Sequence, residues 1–299
     1  MKVMHIPVLP KETIEYLNPK PGDTIVDGTI NGGGHSEEIL NKIGDKGMII
    51  GIDQDAGILN KLKERWKGRK NIFLANDNFR NLEKVLDSLK IEEVDGVLLD
   101  IGISSLQLEE SGRGFSFQKD EPLYMTMRSD VDPGVLTARE IVNRWSEAEL
   151  SDLIWNCGEE RFSRKIAANI IRRREKKPIE TTFELVDVIR ESVPGFYRNN
   201  RRINCATRTF QALRIAVNDE LGAFKEGLEA ASKRLKKGGR LAVITFHSLE
   251  DRIAKKFFKD LADAGKGKIL AKKPVIPSEE EIKNNPRSRS AKLRAVEIL

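Results

Sequence analysis

The stretch TIVDGTINGGGH, Thr24 to His35, constrains the fold more than any other. An apolar run ends at Asp27 and enters a loop holding Gly28, Gly32, Gly33 and Gly34. A segment with Ile39, Leu40 and Ile43 at helical spacing follows. A strand that turns through glycines into a helix N-terminus is the nucleotide-cradling geometry of an open α/β sheet. Glycines let a ligand approach the backbone because no Cβ stands in the way. The spacing is not G-x-G-x-x-G, which argues against a dinucleotide. A tight turn without any ligand is the competing explanation.

The same alternation repeats downstream. The expected strands are Gly47–Asp53, Asn71–Ala75 and Val94–Asp100, with helices at Ala56–Trp66 and Leu82–Leu89 between them. Strand–helix alternation predicts a parallel sheet covered on both faces. Polar residues gather at successive strand ends: Asp27, Asp53, Asp77 to Phe79, and Asp100 in DIGISS. Ligands bind at that edge of open α/β sheets.

From Arg113 to Arg214 the strand pattern stops and amphipathic helical segments take over. SEAEL, beginning at Ser146, has capping-box spacing, and TTFELVDVIRESV runs to Pro194 and Gly195. Arginines and lysines cluster at Arg172–Arg174, Lys176, Lys177, Arg198, Arg201 and Arg202, a pattern suited to backbone phosphates, although each run alone fits a solvated helix face. The sheet then resumes after a long helix expected over Thr209–Leu235. Strands are expected at Arg240–Phe246, Lys268–Lys273 and Leu293–Leu299, with a helix at Leu249–Leu261. The expected architecture is an open α/β sheet of seven strands, which the family resemblance drawn below makes class I and Rossmann-like. It is built from residues 1–112 and 215–299, with an all-helical insertion at 113–214 serving RNA or substrate recognition.

Composition narrows the function classes. No apolar run approaches the ~20 residues needed to cross a bilayer, and the N-terminal stretch lacks a signal-peptide core, so a cytoplasmic setting is expected. Cys157 and Cys205 lack metal-ligand spacing, and three histidines give little material for zinc, so no metal is expected. The net charge of +6 is compatible with a polyanionic partner.

Asp53 lies about 20 residues beyond the glycine loop, where an acid meets ribose hydroxyls in such folds. An adenosine ligand follows, either NAD or S-adenosylmethionine. The absent dinucleotide spacing favours S-adenosylmethionine, whose ammonium and carboxylate suit Asp27 and the backbone of GGGH. A late hairpin that inserts a seventh strand points the same way.

Several long segments sharpen this: VDGTINGGGHS from Val26, GIDQD from Gly51, DGVLLDIGISSLQL from Asp95, RGFSF from Arg113, GEERFSRKIA from Gly158, ATRTFQALRIAVNDEL from Ala206, GGRLAVITFHSLEDR from Gly238 and NPRSRSAKLRA from Asn285. With these, nearly the whole chain resembles the bacterial small-subunit rRNA (cytosine-N4)-methyltransferase family. The resemblance implies S-adenosylmethionine as cofactor and 16S rRNA of the small ribosomal subunit as partner, with methylation of a cytosine amine in the P-site region. It leaves a homodimer open. By motif it implies cofactor contacts at Gly33, Gly34, His35, Asp53, Phe79, Asp100 and Gln107.

Cytosine N4 is a poor nucleophile, and the methylated nitrogen is strongly acidic, so orientation matters more than a strong base. The chain lacks the polar–Pro–Pro–aromatic motif of amino-methyltransferases. Oxygens of Asp100, Ser104 and Ser105, or groups of the TFHS loop including His247, are the candidates for polarising the amine. Ser248 and Asp251 have capping-box spacing, which gives that loop a structural alternative. Phe246 is a candidate to stack on the base. The segment PLYMTMRSD departs from the family's PLDMRMD at Tyr124, Thr126 and Arg128, and Asn204–Cys205 replaces a frequent His–Pro. Two further readings remain: a methyltransferase of this fold acting on another RNA or a protein, and a ribosome-assembly factor that binds cofactor without turnover.

Overall fold

Aliphatic and β-branched runs become strands here because both faces of the sheet are covered. The computed structural model describes residues 7–103, 108, 111–129, 134–199 and 204–299. In the first hundred residues it forms β1 (Thr24–Asp27), β2 (Met48–Asp53), β3 (Ile72–Asn76) and β4 (Val94–Ile101). All four are parallel, with Asp27 paired to Gly51 and Leu98, and Asp53 to Asn76. Helices α1 (Pro10–Leu17), α2 (Gly34–Ile43), α3 (Ala56–Arg65) and α4 (Leu82–Ser88) alternate with them. Pro10 starts α1, where its missing N–H costs nothing. Asp55 caps α3 by accepting from the Gly57 and Ile58 amides.

The sheet is completed by β5 (Leu235–Thr245), β6 (Gly267–Ile269) and β7 (Lys292–Ile298). Its order is β3-β2-β1-β4-β5-β7-β6. β5 runs parallel to β4, whereas β7 is antiparallel to both β5 and β6. The order reverses between β1 and β4, and that reversal is where open α/β sheets hold ligands. The core beneath it joins Val26, Ile50, Ile52, Val97, Leu99, Leu241 and Val243 to Phe224, Leu228 and Phe258.

The chain divides into two compact units, Met1–Ser104 with Leu221–Leu299, and Ser105–Glu220. The expected insertion bounds, 113 and 214, fall inside the second. That unit contains helices at Ala138–Arg144, Glu147–Gly158, Ser163–Arg174, Thr182–Ser192, Gly195–Arg198 and Thr207–Asn218. Three of them begin with reciprocal capping boxes, Thr137 with Glu140, Ser146 with Glu149, and Thr181 with Glu184. Each cap is worth about 1 kcal/mol. No described helix is long and apolar enough to cross a membrane.

Two expectations need correction. The helix expected over Thr209–Leu235 is broken at Asp219, which is left-handed at φ 46°, giving Thr207–Asn218 and Glu220–Arg234. Asn218 explains the break: its side chain donates to the carbonyls of Met125 and Arg214 and accepts from the Met127 amide. The strand expected over Lys268–Lys273 stops at Ile269. Pro274 lies just beyond and has no N–H for a ladder, and pairing resumes only as the bridge between Val275 and Leu293.

Candidate active site at the carboxyl edge of the sheet

The glycine turn is built by packing as well as by openness. Gly33 has φ 74°, and a Cβ there would lie 2.6 Å from the Trp66 ring. A Cβ on Gly34 would meet Pro7 at 3.0 Å. The missing side chains therefore seat the start of α2 against its neighbours. Asn31, left-handed at φ 46°, turns its amide to Asp53 Oδ2 at 3.0 Å and its side-chain amide to the Thr29 carbonyl.

Three acids that sequence placed at strand ends are brought to one edge and buried. Asp27 is 1% exposed and accepts from Ser36 Oγ at 2.6 Å and from the Thr29 amide at 3.3 Å. Each of its oxygens takes one hydrogen bond from within the turn and keeps a further lone pair. Burial pushes its pKa up to about 6, and the Ser36 and Thr29 hydrogen bonds oppose this. Asp53 accepts from the Asn31 and Asp55 amides, and burial pushes it up to about 7. Asp100 is the extreme case, at about 8, because burial is reinforced by the charges of Asp27 and Glu250. Thr29 Oγ1 accepts from the Asp100 amide at 2.6 Å. Asp100 Oδ1 is buried without a hydrogen-bond partner among the described residues.

His35 stands 6% exposed in the first turn of α2. Its Nε2 faces the Val8 carbonyl at 2.8 Å, and since a carbonyl only accepts, Nε2 carries the hydrogen. Nδ1 lies 3.7 Å from Asp100 Oδ2, beyond hydrogen-bond reach. Phe79 follows β3 and opens a short turn whose cap, Asn78, accepts from the Arg80 amide. A Cβ on Gly227 would sit 2.5 Å from the Phe79 ring, so that glycine makes room for the aromatic. Ser104, Ser105 and Gln107 lie outside the described residues.

The loop after β5 corrects the expected cap. The helix Ser248–Asp263 is capped by His247 with Glu250, not by Ser248 with Asp251. His247 Nδ1 accepts from the Glu250 amide at 3.3 Å, and Glu250 Oε2 accepts from the Phe246 and His247 amides. Asp251 instead binds Arg294 and Lys292. Glu250, Thr29, Asn31 and Ser36 are the supporting residues that sequence reasoning missed. For Glu250 a signal existed, since H-x-x-E offers the same spacing as S-x-x-D.

In the second unit the expected basic cluster divides by role. Arg174 donates to the carbonyls of Val142 and Trp145, and Lys177 pairs with Glu184. Both stabilise the unit itself. Outside that cluster, Arg161 lies over the rings of Phe162, Tyr197 and Phe196, at 4.8, 5.1 and 5.7 Å, with Phe196 72% exposed. The departing segment at Tyr124–Arg128 is clamped through its backbone, by Asn218 and by Arg113 Nη1, which donates to the carbonyls of Met127 and Arg128. Arg201 and Arg202 lie outside the described residues.

A parallel sheet that takes an antiparallel strand between β5 and β6, with its polar site at the β1/β4 reversal, is the architecture of Rossmann-like methyltransferases. The chain belongs to the MraW methylase family, whose model matches residues 2–299. It is 47% identical over 309 residues to the ribosomal RNA small subunit methyltransferase H of Clostridium botulinum (strain Kyoto / Type A2), covering 98% of each chain. The protein of that name from Geotalea daltonii is 49% identical over 310 residues, again covering 98% of each. Among solved structures it is similar to an rRNA methylase from Streptococcus thermophilus, at 12% identity and a TM-score of 0.43, covering 97% of this chain and 93% of that one.

Proposed function

We propose that this chain transfers a methyl group from S-adenosylmethionine to the exocyclic N4 amine of a cytidine in the P-site region of 16S rRNA. The observation that carries the reading is the buried Asp100 carboxyl, with Oδ1 unpartnered among the described residues, at the strand reversal of a methylase-family sheet. A buried polar atom without a partner marks a place where a donor belongs. The relatives named for small-subunit rRNA supply the substrate class. The setting is the cytoplasm.

When bound, S-adenosylmethionine supplies a methyl group activated by a positively charged sulfur. The residues present fit it. Each Asp53 oxygen accepts one backbone N–H and keeps a lone pair for a ribose hydroxyl. The amino end of α2, opened by Gly33 and Gly34 with His35 in its first turn, suits a carboxylate. Phe79 and Gln107 complete the cofactor set. Asp27, held in place by Ser36, keeps a lone pair on each oxygen for the ammonium.

For the acceptor, oxygens of Asp100, Ser104 and Ser105 take the amine hydrogens and turn the nitrogen lone pair toward the methyl carbon. Gly33, Gly34, Asp53 and Phe79 would hold S-adenosylmethionine, whose sulfonium would give up the methyl group and keep the bonding electrons. The amine then loses a proton, for which Asp100, more basic than an ordinary carboxylate, is the assigned acceptor. His247 acts by holding the loop after β5, because its Nδ1 is engaged at the helix start.

The test incubates the protein with labelled S-adenosylmethionine and small subunits lacking the modification, followed by nucleoside mass spectrometry. N4-methylcytidine in the P-site region is expected. Label in another nucleoside or in protein would favour the reading that the altered Tyr124–Arg128 segment serves a different acceptor, and cofactor binding without label would mean an assembly factor. Asp100→Ala and Ser104→Ala address the chemistry, and near-normal turnover of both at saturating cofactor removes their assigned roles.

A further inference from the structure

Beside the acidic edge, in the same unit, lies a cavity of about 290 Å³ that the chemistry above does not use. Phe246, Ile276, Pro277 and Ile282 give it apolar walls, and Arg289 and Lys292 stand at its side. Among the described residues no carboxylate lines it. Ile276 is 64% exposed, so its side chain is open to whatever enters the cavity. Arg289 is exposed and forms no ion pair among the described residues. Lys292 and Arg294 share the single carboxylate of Asp251, so cationic charge remains in excess there.

Position ties the cavity to the reaction. β4 and β5 are paired through Asp100 with Ile244 and Ile101 with Thr245, which puts Phe246 directly beyond the pairing and beside Gly102. A Cβ on Gly102 would lie 2.8 Å from the Phe246 ring, so the ring rests on the backbone two residues past Asp100. Phe246 is thus shared between the DIGISS loop and the cavity, while neither Asp100 nor Gly102 lines the cavity itself.

We propose that this cavity binds one nucleotide of the RNA substrate, the neighbour of the methylated cytidine. Its base lies on Phe246 and Ile276, and its phosphate meets Arg289 and Lys292. The inference rests on the rRNA reading above and adds a subsite to it. The chemistry fits a nucleotide on three counts. An aromatic and aliphatic floor accepts any base face. A margin where Arg289, Lys292 and Arg294 face the single carboxylate of Asp251 accepts a phosphate. The volume lies at the small end for ligand sites and suits one residue rather than a peptide segment. Holding the neighbour beyond Phe246 fixes the strand on one side of the target, so the target base is presented outside its stack.

The experiment uses the full-length protein and its Ile276→Ser, Arg289→Gln and Lys237→Gln variants, the last an exposed lysine at the opposite end of β5. Methyl transfer to small subunits is followed as kcat and KM, and S-adenosylhomocysteine affinity is measured beside it. Ile276→Ser and Arg289→Gln are expected to raise KM for the subunit about tenfold, equivalent to one base contact, with kcat within about twofold and cofactor affinity unchanged. Arg289→Gln also lowers the slope of log affinity against log salt by about 1. Lys237→Gln changes neither. Unchanged KM in both cavity variants overturns the proposal, and so does a parallel fall in cofactor affinity, which would mean a general disturbance of the sheet edge. Fluorescence anisotropy with a P-site 16S rRNA fragment repeats the comparison without turnover. If the fragment binds through the cavity while the wild type methylates another acceptor, nucleotide binding by the cavity stands, but its place beside a methylated cytidine falls together with the rRNA methylation reading.

Discussion

Desolvation governs the acids at the strand ends. Asp27, Asp53 and Asp100 ionise near 3.8 when exposed, but in the folded chain they are raised to about 6, 7 and 8. Between about pH 4 and 8 the folded state therefore holds protons that the unfolded state has released, and stability falls as pH rises through that window. The cofactor-free protein is expected to melt at a higher temperature at pH 6 than at pH 8, measured by calorimetry. Asp100→Asn removes a buried charge and should raise the pH 8 midpoint while lowering methyl transfer by about 10²–10³-fold; a lower midpoint at pH 8 would contradict the account. A sulfonium bound nearby favours ionised Asp100, so cofactor binding at pH 7 is expected to release protons, read as a titration enthalpy that varies with the buffer's ionisation enthalpy. Gly33→Ala, forced to φ 74° against Trp66, should cost about 1–2 kcal/mol or more in chemical denaturation. At this scale the acids were legible because each ends an apolar run. Their partners were not, since the engagement of Asp27 depends on Ser36 in the first turn of another element.

Elements were legible where pattern is local and illegible where a distant residue decides. β1, β2 and β4 follow directly from continuous apolar runs, and the Ser146 cap follows from its spacing. The break at Asp219 does not, because the apolar period of Thr207–Arg234 continues through it. Asn218, reaching Met125 and Met127 some ninety positions back, sets the break. Asn218→Ala leaves those backbone groups unpaired and is expected to destabilise the protein by about 1–3 kcal/mol, read by denaturation. The loop after β5 offers two overlapping cap signatures, and burial selects the one whose acid, Glu250, is fully enclosed. His247→Ala is expected to cost about 0.5–2 kcal/mol through the lost cap, with a correspondingly disordered Phe246 loop seen as faster amide exchange there.

Over the whole molecule, the sheet unit is discontinuous in sequence, since Ser105–Glu220 forms a unit of its own between β4 and β5. The strand alternation revealed the sheet, and its interruption revealed the helical unit, whereas the placement of β7 inside the sheet was expected only by analogy with the fold, since no local signal carries its pairing. That placement makes β7 the shared partner of two strands, with Leu293, Ala295 and Val296 buried and Arg294 bound to Asp251. Removal of residues 292–299 strips both β5 and β6 of their ladder and is expected to yield insoluble protein without a cooperative melting transition.

The same insertion orders events on the ribosome. β5 leaves the exit tunnel with β4 already waiting on one side, whereas its other side and the whole of β6 stay unpaired until Lys292–Ile298 has been translated. The sheet closes by one strand sliding between two open edges, late and from a distance. Nascent chains stalled shortly before residue 292 are the species that would recruit edge-shielding chaperones.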